Sequence, residues 1–194
     1  MGNGWEKRTK AEYETTAWSG GTTTQLLIAP EGANYAARDF LWRVSSATVE
    51  LDESDFTSLP DYERLIATLR GEIALTHNGG APLQLRPYEV HAFSGGDRTH
   101  SSGRCTDFNL MLRRGRAEGT METVLLGAGQ RRELAPSGAE QTLLYAAEGD
   151  CTVMRGTESI ELHPGETLLC QGQDALSVTS PEGAALMLCR MRRL

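Results

Sequence analysis

Apolar positions along this chain fall in short runs, not at helical spacing. Runs rich in aliphatic and β-branched residues, bounded by turn residues, predict strands. They cover residues 22–29, 40–51, 63–69, 73–77, 105–113, 121–126, 142–147, 151–154, 158–162, 167–171 and 184–191. Between them lie Asn78-Gly79-Gly80, Ser94-Gly95-Gly96-Asp97, Gly127-Ala128-Gly129 and Pro181-Glu182-Gly183, which suit tight turns. About eleven short strands at this spacing predict a sandwich or barrel. Side chains alternate faces along a strand. Phe40, Trp42, Val44 and Ser46 therefore share one face, and Arg43, Ser45, Ala47 and Val49 the other. Asp107, Asn109 and Met111 likewise alternate with Phe108, Leu110 and Leu112.

A weak internal repeat sharpens the fold class. Leu65-Ile66-Ala67-Thr68-Leu69-Arg70-Gly71-Glu72 parallels Leu143-Leu144-Tyr145-Ala146-Ala147-Glu148-Gly149-Asp150. Leu85-Arg86-Pro87-Tyr88-Glu89 parallels Leu162-His163-Pro164-Gly165-Glu166. Each copy runs apolar strand, Gly-acid turn, apolar strand, then Leu-x-Pro-x-Glu before another strand. A repeated supersecondary plan is a signature of duplication. The segment ELHPGETLL also resembles the second sequence motif of cupins. The expectation is an all-β bicupin: two fused cupin-like β-barrel (jelly-roll) halves in one compact chain, residues 1–118 and 119–194.

Composition narrows the function classes. The 194 residues include 21 Gly, which fits a turn-rich β protein. That length buries a full core without staples. The net charge of −7 gives no electrostatic footprint for nucleic acid or an anionic membrane surface. A local arginine cluster still suffices for a small acid. Cys105, Cys151, Cys170 and Cys189 are widely spaced, with no C-x-x-C pair, and read as small buried hydrophobes. The start, MGNGWEKRTKAEYETT, has no apolar signal core, and no apolar run is long enough to span a bilayer. A cytoplasmic protein is expected. An exposed sheet edge would allow a homodimer.

The four histidines, His77, His91, His100 and His163, are isolated, and no His-x-His occurs. His77 abuts a turn, His91 lies in an apolar strand, and His100 sits in a polar loop. A ligand set of His91, His100 and a remote carboxylate lacks the local spacing of a metal site. No metal, cofactor or catalytic group is assigned. The Gly-rich loops lack a phosphate-cradle pattern, and the serines lack a nucleophile elbow.

Three segments carry the information. They are Trp18-Ser19-Gly20-Gly21-Thr22; Phe40-Leu41-Trp42-Arg43-Val44-Ser45-Ser46-Ala47, continuing to Phe56 and Pro60-Asp61-Tyr62-Glu63-Arg64; and Asp107-Phe108-Asn109-Leu110-Met111. Together they resemble the HutD/Ves family over residues 15–115, and more loosely beyond. The resemblance implies a bicupin without the usual metal set and with no firmly assigned activity. One branch is linked to histidine utilisation and is thought to bind formylated or related small acids; another is linked to stress. Two departures stand out. Trp18 is followed directly by Ser19-Gly20-Gly21, without the family's Asn, and the Phe-Ser-x-Phe-Pro-Gly segment reads Phe56-Thr57-Ser58-Leu59-Pro60-Asp61.

A pocket for a small carboxylate wants Arg for bidentate recognition, Asn or Ser for orientation and an apolar wall. Arg43, Ser45, Asp107, Asn109 and Met111 supply that set, with Arg64 and Trp18 as further candidates. A second reading stands beside it: Arg43 and Asp107 as a buried ion pair fixing two strands, with Ser45 and Asn109 satisfying backbone groups. Arg113, Arg114 and Arg116, and the Arg190, Arg192 and Arg193 tail, read as solvated or surface-paired. The leading function is a metal-free binder of a small carboxylate or formylated metabolite, with a regulatory role in amino-acid (histidine) utilisation or the stress response. The alternatives are a divergent cupin lyase, isomerase or oxygenase on a small acid or sugar acid, and a homo-oligomeric scaffold.

Overall fold

The computed structural model describes residues 4–172 and 175–194. Among the described residues there are nineteen strands, one 3-10 turn (Lys10–Glu12) and no α-helix. The first strands are β1 (Trp5–Arg8), β2 (Glu14–Trp18), β3 (Gly21–Ala29), β4 (Trp42–Val49), β5 (Glu53–Asp55) and β6 (Tyr62–Arg70). Then come β7 (Ile73–His77), β8 (Leu83–Leu85), β9 (Val90–Ser94), β10 (Thr99–Ser102), β11 (Cys105–Arg113) and β12 (Ala117–Leu126). The last are β13 (Arg131–Leu134), β14 (Gln141–Glu148), β15 (Cys151–Arg155), β16 (Glu158–Leu162), β17 (Thr167–Gln171), β18 (Leu176–Thr179) and β19 (Ala184–Arg193). The predicted strands at 73–77, 105–113, 158–162 and 167–171 have these ends. The strands missed in the sequence are short or polar; β2, for one, is exposed along its whole length.

The chain divides into two compact units. One comprises Glu14–Glu118 with Leu194, the other the stretch up to Tyr13 with Gly119–Arg193. The first unit holds a sheet in the order β2-β3-β4-β11-β6-β9 and a second sheet, β5-β10-β7-β8. The other unit holds β1-β17-β14-β19-β12 and β13-β18-β15-β16. The order β4-β11-β6-β9 thus recurs as β12-β19-β14-β17, and β5-β10-β7-β8 as β13-β18-β15-β16. The sequence repeat is a repeat of topology.

Each unit is a pair of antiparallel sheets, and the expected barrels are not closed. In the first unit Ile73, Leu75 and Leu85 of the small sheet pack on Val49, Ile66, Phe93 and Cys105 of the large one. The other unit packs Leu144, Leu168, Leu186 and Leu188 against Val153, Leu162 and Val178. Strand β1 pairs with β17, from Trp5 opposite Cys170 to Arg8 opposite Thr167. Trp5 packs on the apolar core of that unit, so this stretch goes with the later residues rather than with a 1–118 half.

Gly71 and Gly149 close the equivalent β6–β7 and β14–β15 hairpins at φ +77° and +69°. A Cβ on Gly71 would meet the Arg104 carbonyl, and one on Gly149 the Gly183 carbonyl. Positive φ and close backbone approach both demand glycine. Gly149→Ala should therefore cost about 2 kcal/mol, read as a lower urea midpoint with unchanged m.

All four cysteines are buried, and none forms a disulfide. Burial pushes the Cys105 thiol up to about 12 and that of Cys151 up to about 11, so neither is a reactive thiolate. Among the described residues no helix is long and apolar enough to cross a membrane.

Candidate functional site

The site is built on the inner face of the β3-β4-β11-β6 ladder. Across adjacent strands, Arg43 lies opposite Met111, and Met111 opposite Arg64. The next row reads Gln25, Ser45, Asn109 and Ile66. The third reads Thr23, Ala47, Asp107 and Thr68. Strands lie about 4.8 Å apart, so the Cα atoms of Arg43 and Arg64 are roughly 10 Å apart. Two long side chains at that separation can converge on one small group.

These rows floor a cavity of about 600 Å³ within residues 14–111. Trp18, Arg43, Ser45, Arg64, Asp107, Asn109 and Met111 all line it. Phe40, Leu59, Tyr62 and Met111 form a compact cluster at one end. Phe40 stacks on Tyr62 at 4.3 Å, and the Tyr62 hydroxyl donates to the carbonyls of Arg38 and Phe40. The loop between β3 and β4 is shaped by Asn34: its backbone N–H donates to Asp39, and its side-chain oxygen accepts from Ala36 and Ala37. That loop sets Tyr35 over the Arg43 guanidinium, 4.4 Å from the ring centre. Trp18, 39% exposed, stands at the rim. Gly20 leaves room for its indole, which a Cβ there would strike.

Both arginines are buried, and neither is ion-paired among the described residues. Arg43 Nε donates to Gln25 Oε1 at 2.9 Å, and Nη1 to Ser45 Oγ at 3.1 Å. Arg64 makes one long 3.5 Å contact to the Thr57 carbonyl, and its Nε has no partner. Its guanidinium lies 4.8 Å and 5.2 Å from the ring centres of Phe56 and Phe93. Burial holds both guanidiniums below the usual arginine range, Arg64 down to about 10.

Asp107 accepts one 3.3 Å bond from the Ala47 N–H and forms no ion pair among the described residues. Burial pushes its carboxyl up to about 6, against the opposing pull of Arg64 and Arg43. The Asn109 side chain makes no hydrogen bond among the described residues, and its Oδ1 is enclosed without a partner. The reading of Arg43 and Asp107 as a structural ion pair fails here. Ser45 serves Arg43, not the backbone; the hydroxyl that bonds the Asp107 carbonyl is that of Ser46, at 2.7 Å.

The other unit shows what this scaffold does without a polar site. Counted back from the equivalent turns, Asp107, Asn109 and Met111 correspond to Leu186, Leu188 and Arg190, and Arg64 to Thr142. Leu186 and Leu188 are fully buried. Thr142, Leu188 and Arg190 border a gap of only about 10 Å³, the room of one water. Unpaired buried polar groups cost stability, and an apolar fill of the same positions avoids that cost. The first unit keeps the polar set and the space.

Sequence reasoning missed Gln25, Tyr35, Phe56 and Thr57 as cavity residues. Phe56 and Thr57 belong to a segment that carries the family resemblance. Gln25 shares the Thr-rich strand, but a register shift before Leu27 breaks its alternation. Tyr35 sits in a loop that carries no periodic signal.

The basic runs are engaged elsewhere. Arg113 donates to the Arg38 carbonyl, and Arg114 pairs with Glu63 at 2.7 Å. Arg190 pairs with Glu122 and Arg193 with Glu140. The histidines do not gather as a ligand set. His100 bonds Asp55, and His163 bonds Asp150. His77 is not merely a turn residue: its Nε2 lies 2.9 Å from that of His91, and its Nδ1 2.9 Å from Thr99 Oγ1. Among the described residues no three His, Cys, Asp or Glu side chains converge as metal ligands. The donor set does not fit the metal centre common in cupins.

The comparisons agree with this architecture. A conserved protein of unknown function from Pseudomonas aeruginosa, PA5104, superposes with a TM-score of 0.83 at 22% identity, covering 96% of this chain and 98% of that one. HutD from Pseudomonas fluorescens gives 0.79 at 23% identity, covering 98% and 99%. Oxalate decarboxylase from Bacillus subtilis gives 0.71 at 6% identity, covering 97% of this chain and 79% of that one. At these identities the likeness shows the fold, which is that of the cupins. A search of curated proteins finds no match. The HutD family model matches residues 10–188, and on that match the chain belongs to the HutD family.

Proposed function

We propose that the cavity of residues 14–111 binds a small carboxylate, and that this binding serves regulation of amino-acid catabolism, histidine utilisation included. One observation carries the reading: two buried guanidiniums, unpaired with any carboxylate among the described residues, face one cavity of about 600 Å³. Arginine presents a planar fork that fits a carboxylate. Its burial here is a cost that no internal ion pair offsets. Met111 and Tyr35 supply apolar wall, and Ser45 and Asn109 polar groups for orientation. Structure determination of HutD from Pseudomonas fluorescens in a formate condition makes formate the minimal test compound.

The test is a thermal-shift screen of formate, formylglutamate, urocanate and sugar acids. A ligand that binds only the native state raises apparent stability, by about 2.7 kcal/mol at a hundred times its Kd. At least one carboxylate should raise the melting temperature by several degrees, while its amide or ester does not. No shift with any carboxylate at saturating concentration would sink the reading.

A further inference from the structure

We propose that a carboxylate bound at Arg43 and Arg64 brings a proton with it, carried by Asp107, so that this side chain meets the ligand as a neutral hydrogen-bond donor. The proposal rests on the carboxylate reading above and adds how the site is regulated.

First, Asp107 is not the counter-ion of either arginine. It shares a wall with them, two rungs along β11 from the Arg43–Met111–Arg64 row, yet accepts only the Ala47 N–H. Second, the cavity floor is rich in donors and poor in acceptors. Arg43, Arg64 and Asn109 offer N–H groups, whereas the Gln25 and Ser45 oxygens are taken by Arg43 and the Asn109 and Thr68 oxygens are the neutral acceptors left over. Among the described residues Asp107 is the one buried carboxyl on this wall. Third, a ligand carboxylate entering this space meets a second carboxylate that is itself buried. Each like charge disfavours ionisation of the other, and the carboxyl already raised by burial is the one that takes up a proton. The ligand keeps its charge because both guanidiniums face it, so the proton settles on Asp107.

The surroundings favour that outcome. The charged and titratable groups sharing the space are Arg43 of β4, Arg64 of β6, Cys105 on Asp107's own strand, Glu14 of β2, Tyr35 of the β3–β4 loop and Asp55 of β5. Glu14 and Asp55 are exposed at the rim and, being acidic, oppose a second buried anion. His77 and His91 pack against Phe93 and do not line the cavity. Thr68, directly opposite Asp107, has a buried hydroxyl without a partner, so the polar network around Asp107 is incomplete. In the free protein the Asp107 carboxyl already titrates at about 6. Ligand binding moves it further up, and affinity falls as pH rises past the free value.

The probe is formate, which stays ionised throughout and carries no other group. Its Kd is measured by thermal shift from pH 5.5 to 8, for wild type and for Asp107→Asn, an isostere of the neutral acid. Proton uptake by wild type is read in weakly buffered solution, so the proposal remains testable if the variant does not fold. The expected result is a wild-type Kd that rises by up to about tenfold per pH unit above 6, about one proton taken up per formate, and a flat profile for the variant. A flat wild-type profile without proton uptake overturns the coupling, as does a slope that persists in Asp107→Asn. Absence of formate binding even at pH 5.5, with other carboxylates equally silent, sinks the carboxylate reading itself and the coupling with it.

Discussion

Arg64→Met should weaken carboxylate binding by about 10- to 100-fold while leaving the protein as stable as wild type or more so. A hydrogen bond to a charged group contributes about 1.5–3 kcal/mol, and 1.4 kcal/mol is one decade of affinity. Arg64 has most of its donors free, so its full hydrogen-bonding capacity is available to a ligand. The same freedom makes it a burden on the fold. It is 6% exposed, makes one long contact and leaves Nε unsatisfied. Met of similar length would still pack on Phe56 and Phe93 without the desolvation cost. Gain of stability with loss of binding marks a residue kept for function. The comparison belongs at pH 5.5, where Asp107 is largely neutral and feels the loss of the Arg64 charge least. A large drop in melting temperature with unchanged affinity would make Arg64 a structural residue.

Asp107→Asn should stabilise the free protein at pH 7.5 by about 3 kcal/mol at most. Its carboxyl titrates at about 6 in the folded chain, against 3.8 ordinarily. A carboxyl raised in this way opposes folding wherever it is ionised. The penalty is full above about pH 6, shrinks as pH falls toward 4, and is absent below. The rise from 3.8 to about 6 sets that ceiling, each pH unit being worth about 1.36 kcal/mol. Asn keeps an oxygen for the Ala47 N–H and removes the charge. The melting temperature should rise by roughly 5–10 °C at pH 7.5, and the advantage should vanish near pH 4. A variant less stable than wild type at both pH values would show that the ionised carboxylate supports the fold.

The inner face of the site was legible because strand alternation is rigid. Arg43 and Ser45 on one strand, and Asp107, Asn109 and Met111 on the next, follow from a period of two once each strand is placed. The ladder adds what alternation cannot: Met111 sits between Arg43 and Arg64, so three strands present one row. Gln25 keeps the parity of Thr23, but the register shift that follows it in β3 moves the inner face to Ile28, so the strand read as a whole shows no single inner face. Tyr35 was hidden because its place depends on the Asn34 and Asp39 hydrogen bonds, not on periodicity. The His77–His91 contact joins strands of different sheets and has no local signature. The repeat was readable at its turns, Gly71 and Gly149, but not in its consequence. Only the ladders show Leu186 and Leu188 filling one unit where Asp107 and Asn109 keep the other polar.

The most direct measurement is a crystal structure of the protein with formate, or with the tightest carboxylate of the screen, at pH 5.5. The account predicts the carboxylate inside the cavity, its oxygens about 2.7–2.9 Å from guanidinium nitrogens of both Arg43 and Arg64, with the Asp107 carboxyl in hydrogen-bond reach of it. A carboxylate bound instead at the surface arginines, such as Arg113 and Arg114, with the cavity holding only water, would contradict it.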